Sequence, residues 1–338
     1  MTRPSVKRLT AALLLFLLIL LSGYVLTRIA VFSRIFREHA GVALTQDEVA
    51  IAHNSTDPDP RSQVVPKIIH QIFHNWNDPN NETLPSDWEK VRHTCISLNP
   101  DWEYKLWTEK SSRDFIETEY RWFLSTYDNF KFPVQKIDSL RYFFMRHYGG
   151  IYLDLDNGCL KNLEPLLYYP AWVTDGGHGA LSNNILGAQP NHAFWILLTD
   201  SLISYAWNYP FPYITISYAT GQWFETVVWE KYHAQLPKDA PPLTRVMMDM
   251  RPGAASWVFF TQERGGTWDN WDNHVFGYIG NNTGEAVGYL VGFLGAMAVG
   301  FFVTRTVLRC VFYRYRGYRR LGRGNKSGRG DEEIELSA

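Results

Sequence analysis

The segment Asp138–Gly158, DSLRYFFMRHYGGIYLDLDNG, decides how this chain folds. Gln135–His147 is expected to be a helix, with Ile137, Leu140, Phe144 and His147 along one face, and Gly149-Gly150 stops it. Ile151–Leu155 is an apolar run of strand length. A helix passing through a glycine turn into such a strand is the unit of an α/β fold with a mostly parallel sheet. In a strand, residues i and i+2 face the same way. Asp154 and Asp156 are therefore expected to point together from the strand's C-terminal end, where open α/β sheets place their ligands.

Two neighbouring carboxylates repel unless something positive lies between them. A divalent cation satisfies both, and hard oxygen ligands suit Mg²⁺ or Mn²⁺. A calcium-binding EF-hand loop starting at Asp154 needs glycine sixth and glutamate twelfth; here Gly158 is fifth and Pro165 twelfth. A haloacid-dehalogenase phosphatase carries its acid pair on the first strand, whereas this pair lies deep in the fold and precedes Asn157-Gly158. A D-x-D tripeptide alone is better read as a solvated strand end. Asp138 and Arg141 change that balance: three residues apart on the preceding helix, they share a face that leads into the same crevice.

The chain has 338 residues, 46% of them apolar and 15% aromatic, with a formal net charge of −1. That balance is uneven. Residues 305–330 hold nine Lys/Arg and no acid, while 28–304 hold 21 basic against 30 acidic side chains. An acidic middle argues against nucleic acid as partner. Leu9–Leu26 is uncharged and close to membrane-spanning length, and no A-x-A site follows it, which favours an anchor over a cleaved signal. Ala286–Thr304 is a second span, with Gly288/Gly292 and Ala296/Gly300 spaced for close helix packing. The basic run after it places both termini in the cytosol and the region between the spans in the secretory lumen. Asn54, Asn81 and Asn281 head sequons in that region, and Asn325 heads one in the tail. Cys95 and Cys159 are its two cysteines, and the sequence leaves open whether they pair.

Along this region, residues 28–62 read as a polar stem and 63–280 as the folded domain. Val64–Phe73 reads as a buried strand and Ser86–His93 as a helix start, with Ser86 and Glu89 forming a capping box. Trp102–Trp107 reads as the next strand, and Leu181–Ser204 as a strand and a helix. Trp207–Tyr218, rich in aromatics, reads as a loop. His70 and His74 are expected in the core, His147 at a helix end and His178 in a solvated loop.

Pro66–Phe73 (PKIIHQIF), Asn99–Trp107 (NPDWEYKLW) and Asp138–Asp156 together resemble the DXD-type glycosyltransferases that share the Och1-like mannosyltransferase domain (glycosyltransferase family 32). The resemblance covers roughly residues 64–275. It implies a GT-A fold, a Rossmann-like sheet binding a sugar nucleotide, with Mn²⁺ (or Mg²⁺) at the diphosphate. It also implies that Phe73 stacks on the base and that Asp138 and Arg141 contact the nucleotide sugar. Asp154 would reach the ribose and donor sugar, and Asp156 would ligate metal. Thr267-Trp268-Asp269 stands where relatives carry a late S-W-H-like segment, which implies Asp269 as a further ligand. Asn183-Asn184 and Thr220-Gly221-Gln222 resemble donor-loop positions.

The two-span layout is similar to the branch of the family that transfers mannose from GDP-mannose to inositol phosphorylceramide. That branch implies a Golgi membrane location, retention of configuration by front-face attack, and a regulatory membrane-protein subunit. The alternatives are the same machinery acting on an N-glycan, and a non-catalytic scaffold subunit, against which the intact four-residue set speaks.

Overall fold

The computed structural model describes residues 6–54, 61–78, 81–263 and 270–324. In chain order the elements are α1 (Val6–Arg34), β1 (Val42–Leu44), α2 (Gln46–His53), β2 (Ile68–Ile72), α3 (Ser86–Leu98), β3 (Glu103–Trp107), α4 (Glu109–Glu119), α5 (Arg121–Asp128), α6 (Pro133–His147) and β4 (Gly150–Leu153). A short 3₁₀ turn (Glu164–Tyr168) leads to β5 (Ala171–Asp175), β6 (Ser182–Ala188), α7 (Ala193–Tyr205), α8 (Pro212–Ala219), α9 (Gln222–Gln235) and β7 (Thr244–Met247). Then follow α10 (Asn273–Asn281) and α11 (Thr283–Gly324). The chain divides into two units, Met1–Asn270 and Trp271–Ala338.

The first unit is built on one seven-stranded sheet in the order β1-β7-β5-β6-β4-β2-β3. The expected α/β class with a mostly parallel sheet is what is found: β6 alone runs antiparallel, against β4 and β5. Alternation along the strands fills a core on each face. Tyr152 and Val173 join Tyr142, Phe143, Phe144, Trp195 and Phe224 on the face covered by α6, α7 and α9. Ile151, Leu153 and Trp172 join Ile69, Cys95 and Phe259 on the other. Where Trp172 crosses β6, it faces Gly187. A Cβ there would sit 2.1 Å from the indole, so only glycine fits.

The local signals placed α6 closely. Pro133 stands at its first turn, where a missing N–H costs nothing. Gly149 and Gly150 at its end have φ of +65° and +87°, a left-handed backbone that glycine alone adopts without strain. The α3 signal was misleading in one respect. Pro85 takes the N-cap position with no side-chain cap, Ser86 is already helical, and the helix runs on to Leu98.

Three expectations are revised. The strand before the acid pair ends at Leu153, so Asp154 and Asp156 occupy a turn rather than one strand face. The aromatic stretch Trp207–Tyr218 is only half loop, because Pro212 starts α8. The polar stretch 28–62 is not simply a stem. Within it β1 pairs in parallel with β7, and Thr45 and Glu48 form a reciprocal capping box that starts α2. Ile35, His39, Gln46 and Val49 are buried. The Trp229 indole donates to the Ala40 carbonyl at 2.8 Å, and the Gln46 amide oxygen accepts from the backbone N–H groups of Val258 and Phe259.

Among the described residues, two helices are long and apolar enough to cross a membrane, within α1 (Ala12–Arg34) and α11 (Thr283–Tyr313). They mark a membrane-anchored protein.

Candidate active site

Arg141 projects from α6 into a ring of acceptors. Its Nη2 lies 3.1 Å from Asp138 Oδ1 and 3.3 Å from Asp154 Oδ1. Its Nη1 donates to the Asn183 carbonyl at 2.6 Å and to Asp154 Oδ2 at 3.4 Å. The guanidinium rests over the Tyr152 ring at 4.9 Å. Its Nε–H is buried without a hydrogen-bond partner, an unspent donor beside a carboxylate cluster.

Asp138 is buried under the arginine. Asn183 Nδ2 donates to its Oδ1 at 3.1 Å and the Thr220 hydroxyl to its Oδ2 at 3.0 Å. Burial nevertheless pushes its pKa up to about 6, outweighing the pull of Arg141. The loosely matched donor-loop positions Asn183 and Thr220 therefore do converge on Asp138. Tyr152 donates to Asp154 Oδ1 at 2.5 Å.

The acid turn is fixed from four sides. Gln71 reaches the Asp154 carbonyl at 3.5 Å, and the Tyr104 hydroxyl holds Gln71 at 2.6 Å. Asn157 donates to the Thr261 carbonyl and accepts from Asn184. Cys95 and Cys159 form a disulfide that ties the chain just after the turn to α3. Thr261 and Glu263 donate their backbone N–H groups to the carbonyls of Gly158 and Asp156, so the late segment runs beside the acids.

Sequence motifs far from the acids thereby acquire a physical purpose. His70 is fully buried: its Nδ1 accepts from the Trp107 indole at 3.1 Å, and its Nε2–H donates to the Gly149 carbonyl at 3.0 Å. Burial lowers its pKa to about 3, so it stays neutral and pins the glycine turn, a core histidine as expected. His74 is likewise buried, with its Nε2 3.1 Å from the Ser112 hydroxyl. Phe73 follows β2, is 7% exposed and meets Trp88 edge to face at 6.1 Å.

For a metal, Asp156 offers a half-buried carboxyl whose pKa is pushed up to about 6, by burial first and by Asp154 next. An acid destabilised in its charged form beside a second acid is the electrostatic setting that a divalent cation relieves, so the pair fits one. Among the described residues no set of three His, Cys, Asp or Glu side chains is gathered for a metal. Asp269 lies outside the described residues.

One residue escaped sequence reasoning. Glu225, in the first turn of α9, is fully buried, and neither carboxyl oxygen has a hydrogen-bond partner. Burial raises its pKa to about 8 against the attraction of Arg141, so it is carried protonated at neutral pH. Nothing in the local sequence Gln222–Thr226 marks this, because its burial comes from long-range packing.

Residues 85–172 match the glycosyltransferase sugar-binding region containing the DXD motif. Over 249 residues the chain is 35% identical to mannosyl phosphorylinositol ceramide synthase SUR1 of Saccharomyces cerevisiae, covering 72% of this chain and 63% of that protein. Over 243 residues it is 37% identical to inositol phosphoceramide mannosyltransferase 3 of Schizosaccharomyces pombe, covering 72% of this chain and 66% of that one. The chain thus spans a little under two thirds of the length of these relatives. Among solved structures, the PaToxG glycosyltransferase overlaps 50% of this chain and 70% of its own at 16% identity and a TM-score of 0.36.

Proposed function

The chain carries the DXD-containing sugar-binding region of glycosyltransferases, and on that premise we propose that it is a membrane-anchored mannosyltransferase. The reading assigns GDP-mannose as donor and inositol phosphorylceramide as acceptor, with retention of configuration. The observation that carries it is the convergence of Asp138, Arg141 and Asp154 around one buried guanidinium, with Asp156 two residues on. The names of two relatives, identical at 35% and 37% of aligned positions, support the choice of sugar and lipid.

In this reading the acceptor hydroxyl oxygen bonds to C1 of mannose while the bond from C1 to the β-phosphate oxygen breaks. The acceptor's proton leaves on the departing phosphate. Arg141, held by two carboxylates and a carbonyl, is already aimed when negative charge develops on the leaving group, so no reorganisation is needed at that moment. Asp138 fixes the arginine, and Asp154 presents its carboxyl to the donor with Tyr152 setting its orientation. Asp156 and Asp154, with Asp269 as the third ligand, would hold Mn²⁺ or Mg²⁺, which supplies charge neutralisation to the diphosphate. Phe73 is assigned to the base.

The Cys95–Cys159 disulfide supports an oxidising compartment, and the basic tail supports cytosolic termini, which together favour a Golgi lumenal domain. The glycine and alanine spacings in α11 offer a face for a regulatory membrane subunit.

The test is transfer of labelled mannose by the full chain in membranes, alongside sphingolipid analysis of cells lacking it. Loss of mannosylated inositol phosphorylceramide with accumulation of its precursor is the expected result. An unchanged lipid profile with truncated N-glycans overturns the assignment.

A further inference from the structure

Residues 201–224 contain no Asp, Glu, Lys or Arg, in a chain with 20% charged residues. A stretch of that kind is ordinary inside a core, yet here much of it faces outward. Ile203 is 47% exposed, Trp207 69% and Phe211 42%. Tyr205, Tyr209 and Tyr213 lie among them, half-buried. Soluble surfaces seldom group large apolar side chains in this way without a partner.

The neighbouring element says what that partner is. Phe32, in the last turns of α1, meets Trp223 edge to face at 4.9 Å and Tyr218 at 5.9 Å. Phe36 meets Trp223 at 6.0 Å, and Tyr209 lies 5.9 Å from Tyr218. Arg28, one turn before Phe32, acts electrostatically on Tyr205 and Tyr218. The uncharged stretch is therefore packed against the end of an apolar helix of membrane-spanning length. Tryptophan and tyrosine are enriched at that level because their rings are apolar and their N–H and O–H groups are wet. An arginine there extends its head toward the polar layer.

The same stretch ends at the site. Thr220, which caps α8, donates to Asp138, and its carbonyl accepts from the Tyr142 hydroxyl at 2.8 Å. The eight residues of α8 rise about 1.5 Å each, so the loop and the Asp138 contact are separated along the helix by roughly 12 Å. The polar layer of one leaflet is about 5–8 Å deep.

We propose that Ile203, Trp207 and Phe211 form a seat in the lipid headgroup layer beside α1, which holds the donor site within reach of a headgroup that stays in its bilayer. The occupant is the membrane surface itself. This rests on the lipid-acceptor reading only for the purpose of the seat, not for its existence.

The experiment measures depth and is blind to activity. The full chain with Cys310→Ser, which removes the free cysteine outside the disulfide, is reconstituted in lipid nanodiscs. A nitroxide is attached in turn at Trp207→Cys, Phe211→Cys and Ile203→Cys, with Asp239→Cys as an aqueous control. Retained thermal unfolding certifies each variant, and three sites guard against the loss of one. The seat predicts that relaxation by oxygen, relative to a water-soluble nickel chelate, is several-fold higher at 203, 207 and 211 than at 239. Values equal to the control overturn it. So does shielding from both relaxants, which marks a protein partner or a second copy. Neither outcome touches the mannosyl transfer assignment, which is read separately.

Discussion

The hydroxyl of Thr220 donates to Oδ2 of Asp138 across 3.0 Å, joining two residues 82 positions apart. A hydrogen bond to a buried charged group contributes about 1.5–3 kcal/mol. Thr220→Val keeps the shape and removes the donor. Turnover should fall about tenfold to a hundredfold and the unfolding temperature should drop by several degrees, checked by steady-state kinetics beside calorimetry.

Asp156→Asn removes a metal-binding carboxylate and keeps its size. We expect mannosyl transfer to fall on the order of a thousandfold while the unfolding temperature stays within a few degrees. A Mn²⁺ titration followed by electron paramagnetic resonance should show weakened binding. Near-normal turnover would remove Asp156 from the site.

Glu225→Gln tests the unpartnered carboxyl through stability. The folded pKa of Glu225 stands at about 8, above the ordinary 4.5. A raised folded value means its protonated form stabilises the fold fully below the ordinary value, and that this contribution is lost as pH rises through about 8. The stability of the native protein relative to Glu225→Gln should therefore decline from pH 5 to pH 8. Denaturant midpoints across that range check it, and a flat difference would show that the carboxyl is not buried in solution.

Replacing both Cys95 and Cys159 by alanine opens the loop that the disulfide closes. Disulfides commonly contribute about 2–5 kcal/mol, so urea unfolding should shift by that order. Because the tie sits just after the acid turn, donor affinity should weaken as well, readable by isothermal titration.

The fold class and the central site were legible because their signals are local. Gly149-Gly150 requires a left-handed backbone, and helical spacing alone puts Asp138 beside Arg141. The reach of the strand was misjudged because Leu155 continues the apolar pattern, while the ladder with β6 stops at Leu153. Val42–Leu44 escaped notice since three residues hold no periodicity. Its strand character comes from β7, some two hundred residues on. Glu225 was invisible for the same reason: its state is set by what is packed over it. Asp269, expected as the third ligand, falls outside the described residues.

The weaving of β1 into the sheet has a practical side. Composition invites a soluble version that begins at residue 63, where the polar stretch gives way to apolar sequence. Such a cut would discard β1 and α2 and leave β7 as an open edge, a template for pairing with another chain. It would also strip Gln46 from the backbone N–H groups of Val258 and Phe259. A soluble version has to begin before Ile35, the first buried residue after the anchor helix. With no slack between the anchor helix and the sheet, the domain is a fixture on that helix, not a body on a leash.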